Sequence, residues 1–442
     1  MFNNKDYVMQ LFINPERAEW PKLLQRPSLN TANLDTLVTR ILDEIRAEGD
    51  IAIQRFTAEF DGVQLADFQV SPAEIREAEA QLPDDLKKAI QTAKANIEKF
   101  HAVQAIAPEV IETMPGVHCW RKSVPIERVG LYIPGGTAPL FSTVLMLGIP
   151  AKLAGCQEIV LCSPPDRNGR LHPAIIYTAN LVGIDKLFKV GGVQAIGGMA
   201  YGTASIPNVY KIMGPGNQYV TAAKQMVSRK GIAIDMPAGP SEVLVCADRT
   251  ANPAFVAADL LSQAEHGIDS QVVLVVFEVA VANAVQVAIT EQLAKLPRRD
   301  IAEKALANSI SIVVDQRETA LELINAYAPE HLILAIEDAE ILGEQVLNAG
   351  SIFLGHYTPE SVGDYASGTN HTLPTNGYAR AYSGVSLDTF VKKITFQRLS
   401  PEGLRNVGPA VELMAAAEAL MAHKEAVTIR LDSLSVSDVP NL

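Results

Sequence analysis

Cysteine is scarce in this sequence, and the little there is has no chemical arrangement. Cys119, Cys156, Cys162 and Cys246 are the full complement in 442 residues. None forms the C-x-x-C pair of a thiolate zinc ribbon or redox motif. Scattered thiols are the usage of a reduced, cytosolic protein. Cys156 and Cys162 flank an apolar run and read as packing residues, with nothing basic beside them to activate a thiolate. Long apolar runs are also missing. No stretch reaches the ~18 uninterrupted apolar residues that span a bilayer. The opening MFNNKDYVMQLF lacks the basic region and long apolar core of a signal peptide. The expected location is therefore the cytoplasm. Positive charge is short as well: 37 Lys and Arg stand against 50 Asp and Glu, a formal net charge of −13. That argues against a broad nucleic-acid or anionic-membrane surface. No strand is followed by G-x-G-x-x-G, so the usual dinucleotide fingerprint is absent. Short-period repeats and low-complexity tracts are missing too.

What is present is an ordinary globular balance, 48% hydrophobic and 20% charged, in a chain long enough for two or three domains and a large core. Residues 34–100 read as helices: Leu34, Leu37, Ile41 and Ile45 recur at helical spacing. Ser71-Pro-Ala-Glu74 is a capping box with proline at the first helical position. Past Trp120 the texture changes. Short β-rich runs at 129–133, 158–162, 187–190 and 209–213 each stop at glycine or proline, with helical stretches between them. A second alternating set follows at 242–247, 270–277, 311–314, 332–335 and 351–354. Strands alternating with helices predict parallel sheets with helices on their faces. The expected fold is α/β, with two α/β units in one globule. Residues 409–425 read as an Ala-rich helix, and 426–431 as a β-like tail.

Four constellations could carry chemistry. A helix over 253–266, started near Pro253 and stopped by Gly267, carries Gln263 and His266 three apart, on one face. An amide oxygen and an imidazole there could hold one ion, but glutamine is an uncommon ligand and spacing alone favours a plain polar helix end. Asp364-Tyr-Ala-Ser-Gly-Thr-Asn-His371 reads as a polar loop after a strand, where open α/β sheets place ligands. Glu330-His331 precedes an apolar strand; an adjacent acid and imidazole could supply two proton-transfer groups, or the pair could be a simple connection. Glu418 and His423 are five apart, about 140° around a straight helix. The glycine turns at Tyr132-Ile-Pro-Gly-Gly136, Gly191-Gly-Val-Gln-Ala195 and Gly214-Pro-Gly-Asn217 each follow a strand and could admit a phosphate or serve geometry alone.

Taken together these segments resemble the histidinol dehydrogenase family. The resemblance runs from about Val129 to Leu431, with a looser helical part before it. It is carried by Val129-Gly-Leu-Tyr-Ile-Pro-Gly-Gly136, Ile212-Met-Gly-Pro-Gly-Asn217, Ala233-Ile-Asp-Met-Pro-Ala-Gly-Pro-Ser-Glu242, Asp259-Leu-Leu-Ser-Gln-Ala-Glu-His-Gly267, Ala328-Pro-Glu-His331, Gly363-Asp-Tyr-Ala-Ser-Gly-Thr-Asn-His371, and Ala416-Ala-Glu418 with His423-Lys-Glu425. Several long strings in one order are far more specific than any one motif.

The resemblance implies NAD-linked oxidation of L-histidinol through L-histidinal to L-histidine, the last steps of histidine biosynthesis, with one Zn²⁺ per subunit. Gln263, His266, Asp364 and His423 are the implied zinc ligands and, with Ser241, His331, His371 and Glu418, the substrate contacts. Glu330 and His331 are the implied catalytic pair: His331 as general base, Glu330 activating water. Tyr132, Gln194 and Asn217 are the implied NAD contacts. The implied architecture is two Rossmann-like units, a helical N-terminal segment and a C-terminal helical arm, in an intertwined homodimer whose arm completes the partner's site. The corresponding division is an N-terminal segment 1–30, a first α/β domain of 31–131 with 242–385, a second of 132–241, and an arm of 386–442. A paralogous zinc and NAD dehydrogenase for another polyol or amino alcohol is the nearest alternative. A non-catalytic α/β binding protein with a structural metal, and a zinc hydrolase using Glu330 as base, stand further off.

Overall fold

Runs such as Glu242-Val-Leu-Val-Cys-Ala247 are too apolar to leave either face in water, so they form parallel strands covered by helices on both sides. The computed structural model describes residues 8–27, 34–135, 139–237 and 239–436. Gly136 and Ala238 of the strings above, and parts of the expected 1–30 segment, lie outside the described residues. In chain order the strands are β1 (Gln10–Ile13), β2 (Val110–Met114), β3 (Val117–Pro125), β4 (Arg128–Tyr132), β5 (Glu158–Ser163), β6 (Lys186–Lys189) and β7 (Lys211–Met213). They continue with β8 (Ala233–Ile234), β9 (Glu242–Ala247), β10 (Gln271–Val276), β11 (Ile310–Val313), β12 (His331–Ala335), β13 (Ser351–Leu354) and β14 (Val391–Leu399).

The chain forms two compact units, residues 1–104 with 126–390, and residues 105–125 with 391–442. The larger holds two parallel sheets. One has the order β6-β5-β4-β7-β8, the other β1-β11-β10-β9-β12-β13. Every residue of β9, β10 and β12 is buried. Helices Val279–Leu293 and Arg299–Ala307 cover one face of the six-stranded sheet, and Arg317–Tyr327 the other. On the five-stranded sheet, Phe141–Ala154 and Pro173–Val182 cover one face. The opposite face is covered by Leu34–Glu48 and Asp50–Phe60, whose Ile41, Ile45, Ile53 and Phe56 share a core with Val160, Phe188 and Ile212. These N-terminal helices thus pack with residues 128–234 and not with 242–385, as the expected division had it. The capping box forms as read: Ser71 Oγ accepts from Glu74 N at 3.2 Å, and Glu74 Oε2 accepts from Ser71 N at 2.8 Å.

The smaller unit pairs β14 with β3 and β3 with β2, all antiparallel. Two helices follow, Pro401–Ala417 and Met421–Val436. Residues 426–431 are therefore helical, against expectation. Val427, Thr428 and Ile429 favour a strand locally, but Val427 and Leu431 pack over Gly408, which leaves room for a second helix to approach. Tertiary packing overrides the propensity.

Candidate active site

Three strand starts meet at the amino edge of the six-stranded sheet. Ser241 precedes β9, Ser270 precedes β10, and Glu330 precedes β12, whose first residue is His331. The facing wall comes from the carboxyl edge of the five-stranded sheet, where Tyr132 ends β4 and Gly214 follows β7. A cleft of about 850 Å³ lies between, lined by Asn217 on one side and by Ser241, His266, Glu330 and His371 on the other. The nucleotide-type turns thus sit where open parallel sheets place ligands. The acid–imidazole pair sits at the opposite strand ends. Gly214 makes the turn possible: at φ +126°, a Cβ there would lie 2.1 Å from the Tyr132 carbonyl oxygen.

The backbone of one residue, Glu242, organises the acidic half. Glu242 N–H donates to Glu330 Oε2 at 3.0 Å, and its carbonyl oxygen lies 3.4 Å from His331 Nδ1. Glu242's own carboxylate is buried and clamped by Arg26, Nε to Oε2 at 2.5 Å and Nη2 to Oε1 at 2.8 Å. Arg26 also donates to the Tyr327 carbonyl at 2.7 Å and lies 4.0 Å over the Tyr327 ring. Removing the guanidinium leaves a buried carboxylate without a counter-charge, which costs ~3–5 kcal/mol. Arg26→Met is therefore expected to lower the urea midpoint by that equivalent with an unchanged slope. A midpoint equal to that of the unsubstituted chain would show that Arg26 is not what holds Glu242.

Glu330 and His331 are both buried, 6% and 3% exposed. Burial pushes the Glu330 carboxyl up to about 8, against the pull of His331. Burial lowers His331, but Glu360, Glu330 and Asp364 outweigh it and hold the ring well above its ordinary value. Its Nδ1 side faces the Glu242 carbonyl, Glu330 Oε2 at 3.7 Å and Glu360 Oε1 at 3.8 Å. In the neutral ring that donates Nδ1–H to the carbonyl, Nε2 carries the lone pair; with no cation bound, the three carboxylates favour the ring protonated at both nitrogens. Nε2 is buried without a hydrogen bond, 3.4 Å from Asp364 Oδ1.

Asp364 lies on the helix Glu360–Tyr365 and not in a loop; the polar stretch that follows begins after it. Burial raises its carboxyl, and the His331 contact more than offsets this. His371 Nδ1 donates to the Asp364 carbonyl at 2.8 Å, and its Nε2 meets Thr143 Oγ1 at 3.0 Å. Burial lowers the His371 imidazole, and a neutral ring accepting from the hydroxyl satisfies both atoms.

Gln263 and His266 do not end on one continuous helical face. The helix closes at Ala264, leaving Gln263 fully buried and His266 exposed to the cleft. The Gln263 amide fits in one orientation: its nitrogen donates to Glu360 Oε1 at 2.6 Å, and its oxygen accepts from Glu242 N at 2.9 Å. Around His266, desolvation by the surrounding protein lowers the imidazole, while Asp364 draws it upward.

On the facing wall Tyr132 and Gln194 are buried, with their polar ends engaged inside the protein. Tyr132 Oη accepts from Gly192 N at 3.1 Å, and burial pushes the phenol up to about 12. Gln194 Nε2 donates to Asp61 Oδ2 at 3.2 Å; burial lifts Asp61 to about 6. Asn217 is exposed and caps the helix Gln218–Ser228, its Oδ1 accepting from Tyr219 N and Val220 N. Glu418 and His423 belong to the smaller unit. Glu418 closes the helix Pro401–Ala417 and His423 lies in the next helix, both exposed. Sequence reasoning passed over Arg26, Glu242 and Glu360. The four-residue spacing of Glu360 and Asp364 was the one local signal available for any of them.

Among the described residues, His331, Glu360 and Asp364 bring ligand atoms within 4.8 Å of one another. Glu360 Oε2 and His331 Nε2 are both buried without a hydrogen-bond partner. A concentration of buried carboxylate with orphaned polar atoms fits a cation. The glycine turn at Gly214, leading into the N-terminus of an 11-residue helix, fits a phosphate-bearing cofactor.

The family model described as "Histidinol dehydrogenase" matches residues 24–431. A histidinol dehydrogenase of Bacteroides thetaiotaomicron is 61% identical over 427 residues, 97% of this chain and 100% of the relative. One from Yersinia pestis is 53% identical over 416 residues, 93% of each chain. The crystal structure of histidinol dehydrogenase from Elizabethkingia anophelis superposes with a TM-score of 0.96 at 57% identity, covering 97% of this chain and 99% of that one. With a family match across nearly its whole length and a near-superposable fold, the chain belongs to the histidinol dehydrogenase family.

Proposed function

We propose that this chain oxidises L-histidinol to L-histidine by way of L-histidinal, passing two hydrides to NAD, as an oxidoreductase of histidine biosynthesis in the cytoplasm. The observation that carries the reading is the buried Glu330–His331 pair, held by the backbone N–H and carbonyl of Glu242 and opening on a cleft that Asn217 also lines. No helix among the described residues is long and apolar enough to cross a membrane.

Gln263, His266 and Asp364, with His423 of a second copy, would hold zinc. Zinc, when bound, supplies a fixed positive charge that orients the substrate through its amine and imidazole nitrogens. Ser241, His371 and Glu418, the last again from the second copy, would contact the substrate. His331 Nε2 takes the hydroxyl proton as hydride leaves carbon for NAD, giving the aldehyde. Glu330 takes a proton from water as its oxygen adds to the aldehyde carbon. His331 returns its first proton to the aldehyde oxygen, completing the hydrate, and then takes a hydroxyl proton of that hydrate as the second hydride leaves, and the acid forms. The net change is one alcohol, one water and two NAD to one carboxylate, two NADH and three protons. A cleft that keeps the aldehyde between the two oxidations prevents its escape. Tyr132, Gln194 and Asn217 would set the NAD pocket.

Both parallel sheets run in the order 3-2-1-4-5 within their own sets of strands, β1 adding an edge to one; this supports reading them as two Rossmann-like units. We place the divisions near 132, 242 and 386, with helices 34–102 assigned to the unit of the five-stranded sheet. Exposed Leu413, Met414 and Met421 on the terminal helices support an arm that pairs with another copy in a homodimer.

The test is NADH formation from L-histidinol. Two NADH per substrate are expected, with activity lost to a chelator and restored by zinc. One NADH per substrate, or preference for another alcohol, would sink the assignment and favour a paralogous dehydrogenase.

A further inference from the structure

The turn after β7, Gly214-Pro-Gly-Asn217, carries two glycines in four residues. Glycine gives up more backbone freedom on ordering than any other residue, so a fixed shape here needs a hold from outside. From Asn217 onward the helix cap supplies one. At Gly214 the hold is a buried ion pair. Lys224, from the helix Gln218–Ser228, meets Asp235, directly after β8, with side chains only 4% and 2% exposed. Lys224 Nζ donates to the Gly214 carbonyl oxygen at 2.8 Å, and Gly214 N–H donates to Asp235 Oδ2 at 2.8 Å. Asp235 Oδ1 accepts from Met236 N–H at 2.8 Å and faces the Lys224 ammonium. Both backbone groups of one glycine are thus held, each by a different element, where the turn and the pair line the cleft.

We propose that Lys224 and Asp235 are positioning residues that hold the Gly214–Asn217 turn in the shape that receives NAD. The turn cannot be stiffened from within. A Cβ at Gly214 would strike the Tyr132 carbonyl oxygen, and one at Gly216 would lie 2.4 Å from Val220 Cγ1. Stiffness must therefore come from groups outside it. Stability alone does not call for charge at this place, because apolar side chains of similar volume often match or better a buried ion pair. Apolar side chains could satisfy neither the N–H nor the carbonyl of Gly214, however, and a donor with an acceptor satisfies both. A turn already ordered in the free protein spares the cofactor the entropy of ordering it on binding. The inference rests on the proposed placement of NAD at this turn.

The test titrates the full-length protein with NAD by isothermal calorimetry and measures urea unfolding on the same samples. If the unsubstituted chain binds no NAD, the placement of the cofactor fails, and this proposal with it. Lys224→Met removes the donor to the Gly214 carbonyl and leaves Asp235 buried without its ion-pair partner. It should lower the urea midpoint and weaken NAD about tenfold, the equivalent of ordering one backbone residue on binding. Lys224→Met combined with Asp235→Asn removes both charges and keeps an amide oxygen for Gly214 N–H. Its midpoint should recover toward that of the unsubstituted chain, while NAD stays about tenfold weaker, because the Gly214 carbonyl is still unheld. A merely structural role would return NAD affinity along with stability. In turnover, KM for NAD should rise with the loss of affinity, and KM for L-histidinol should stay within about threefold. Native NAD affinity in the double variant, or equal rises in both KM values, would overturn the proposal. If Lys224→Met fails to fold by circular dichroism, the double variant decides alone: weakened NAD binding supports the proposal, and native binding overturns it.

Discussion

Replacing His331 by asparagine is expected to lower kcat for histidinol oxidation roughly 10²- to 10⁴-fold, the range for losing a positioned general base. Asparagine is chosen because its Nδ2 can still donate to the Glu242 carbonyl, as His331 Nδ1 does at 3.4 Å. The backbone contact that seats the residue survives, and only the Nε2 lone pair is lost. The same variant separates two ways of reading the cluster. His331, Glu360 and Asp364 are close enough to share an ion, which makes His331 a geometric candidate for a ligand. The proposed ligand set excludes it. Metal analysis should therefore find a full zinc equivalent in His331→Asn despite the lost turnover. Loss of zinc together with activity would move His331 from base to ligand. A kcat within tenfold of the unsubstituted enzyme would remove it from the chemistry.

Much of the parallel sheet was legible because buried strands announce themselves. Glu242-Val-Leu-Val-Cys-Ala247 and His331-Leu-Ile-Leu-Ala335 are short apolar runs bounded by turn residues, and both are strands within a residue of the reading. The hairpin β2–β3 and its partner β14 were not legible. Val110–Met114 is exposed at every position and Val391–Leu399 at nearly all of them, so neither shows the alternation that a half-buried strand would print on the sequence. The placement of helices 34–60 was out of reach for another reason: periodicity says which face of a helix is buried, not which sheet buries it.

The site divides the same way. Glu330-His331 could be singled out because acid and imidazole are adjacent. Their placement at the amino ends of β9 and β12 could not, since strand order is a long-range property. Arg26 and Glu242 lie 216 residues apart in the chain and carry no mutual signal. The partners that set the Glu330 and His331 protonation energies, chiefly burial and then neighbouring carboxylates, exist only after folding.

Mixing two inactive variants is expected to restore activity. One carries His331→Asn in the larger unit, the other His423→Ala in the smaller. Glu418 and His423 are exposed on the terminal helices, while the acid–imidazole pair is buried elsewhere in the chain. If a second copy supplies His423, a dimer with one of each variant holds one site built entirely from unaltered residues and one site with both defects. Random reassociation of equal amounts makes half the dimers mixed, so the pool should recover about a quarter of the unsubstituted activity. Each variant alone should stay near background. Were His423 to serve its own chain, every site in the mixture would carry one defect and nothing would return. The comparison needs only that the subunits be dissociated in mild denaturant and refolded together, with separately refolded samples as controls. A mixture no more active than those controls would show that His423 is not supplied by a second copy. The arrangement would also explain why Glu418 and His423 need not share a helical face: they answer to the geometry of another chain's cleft.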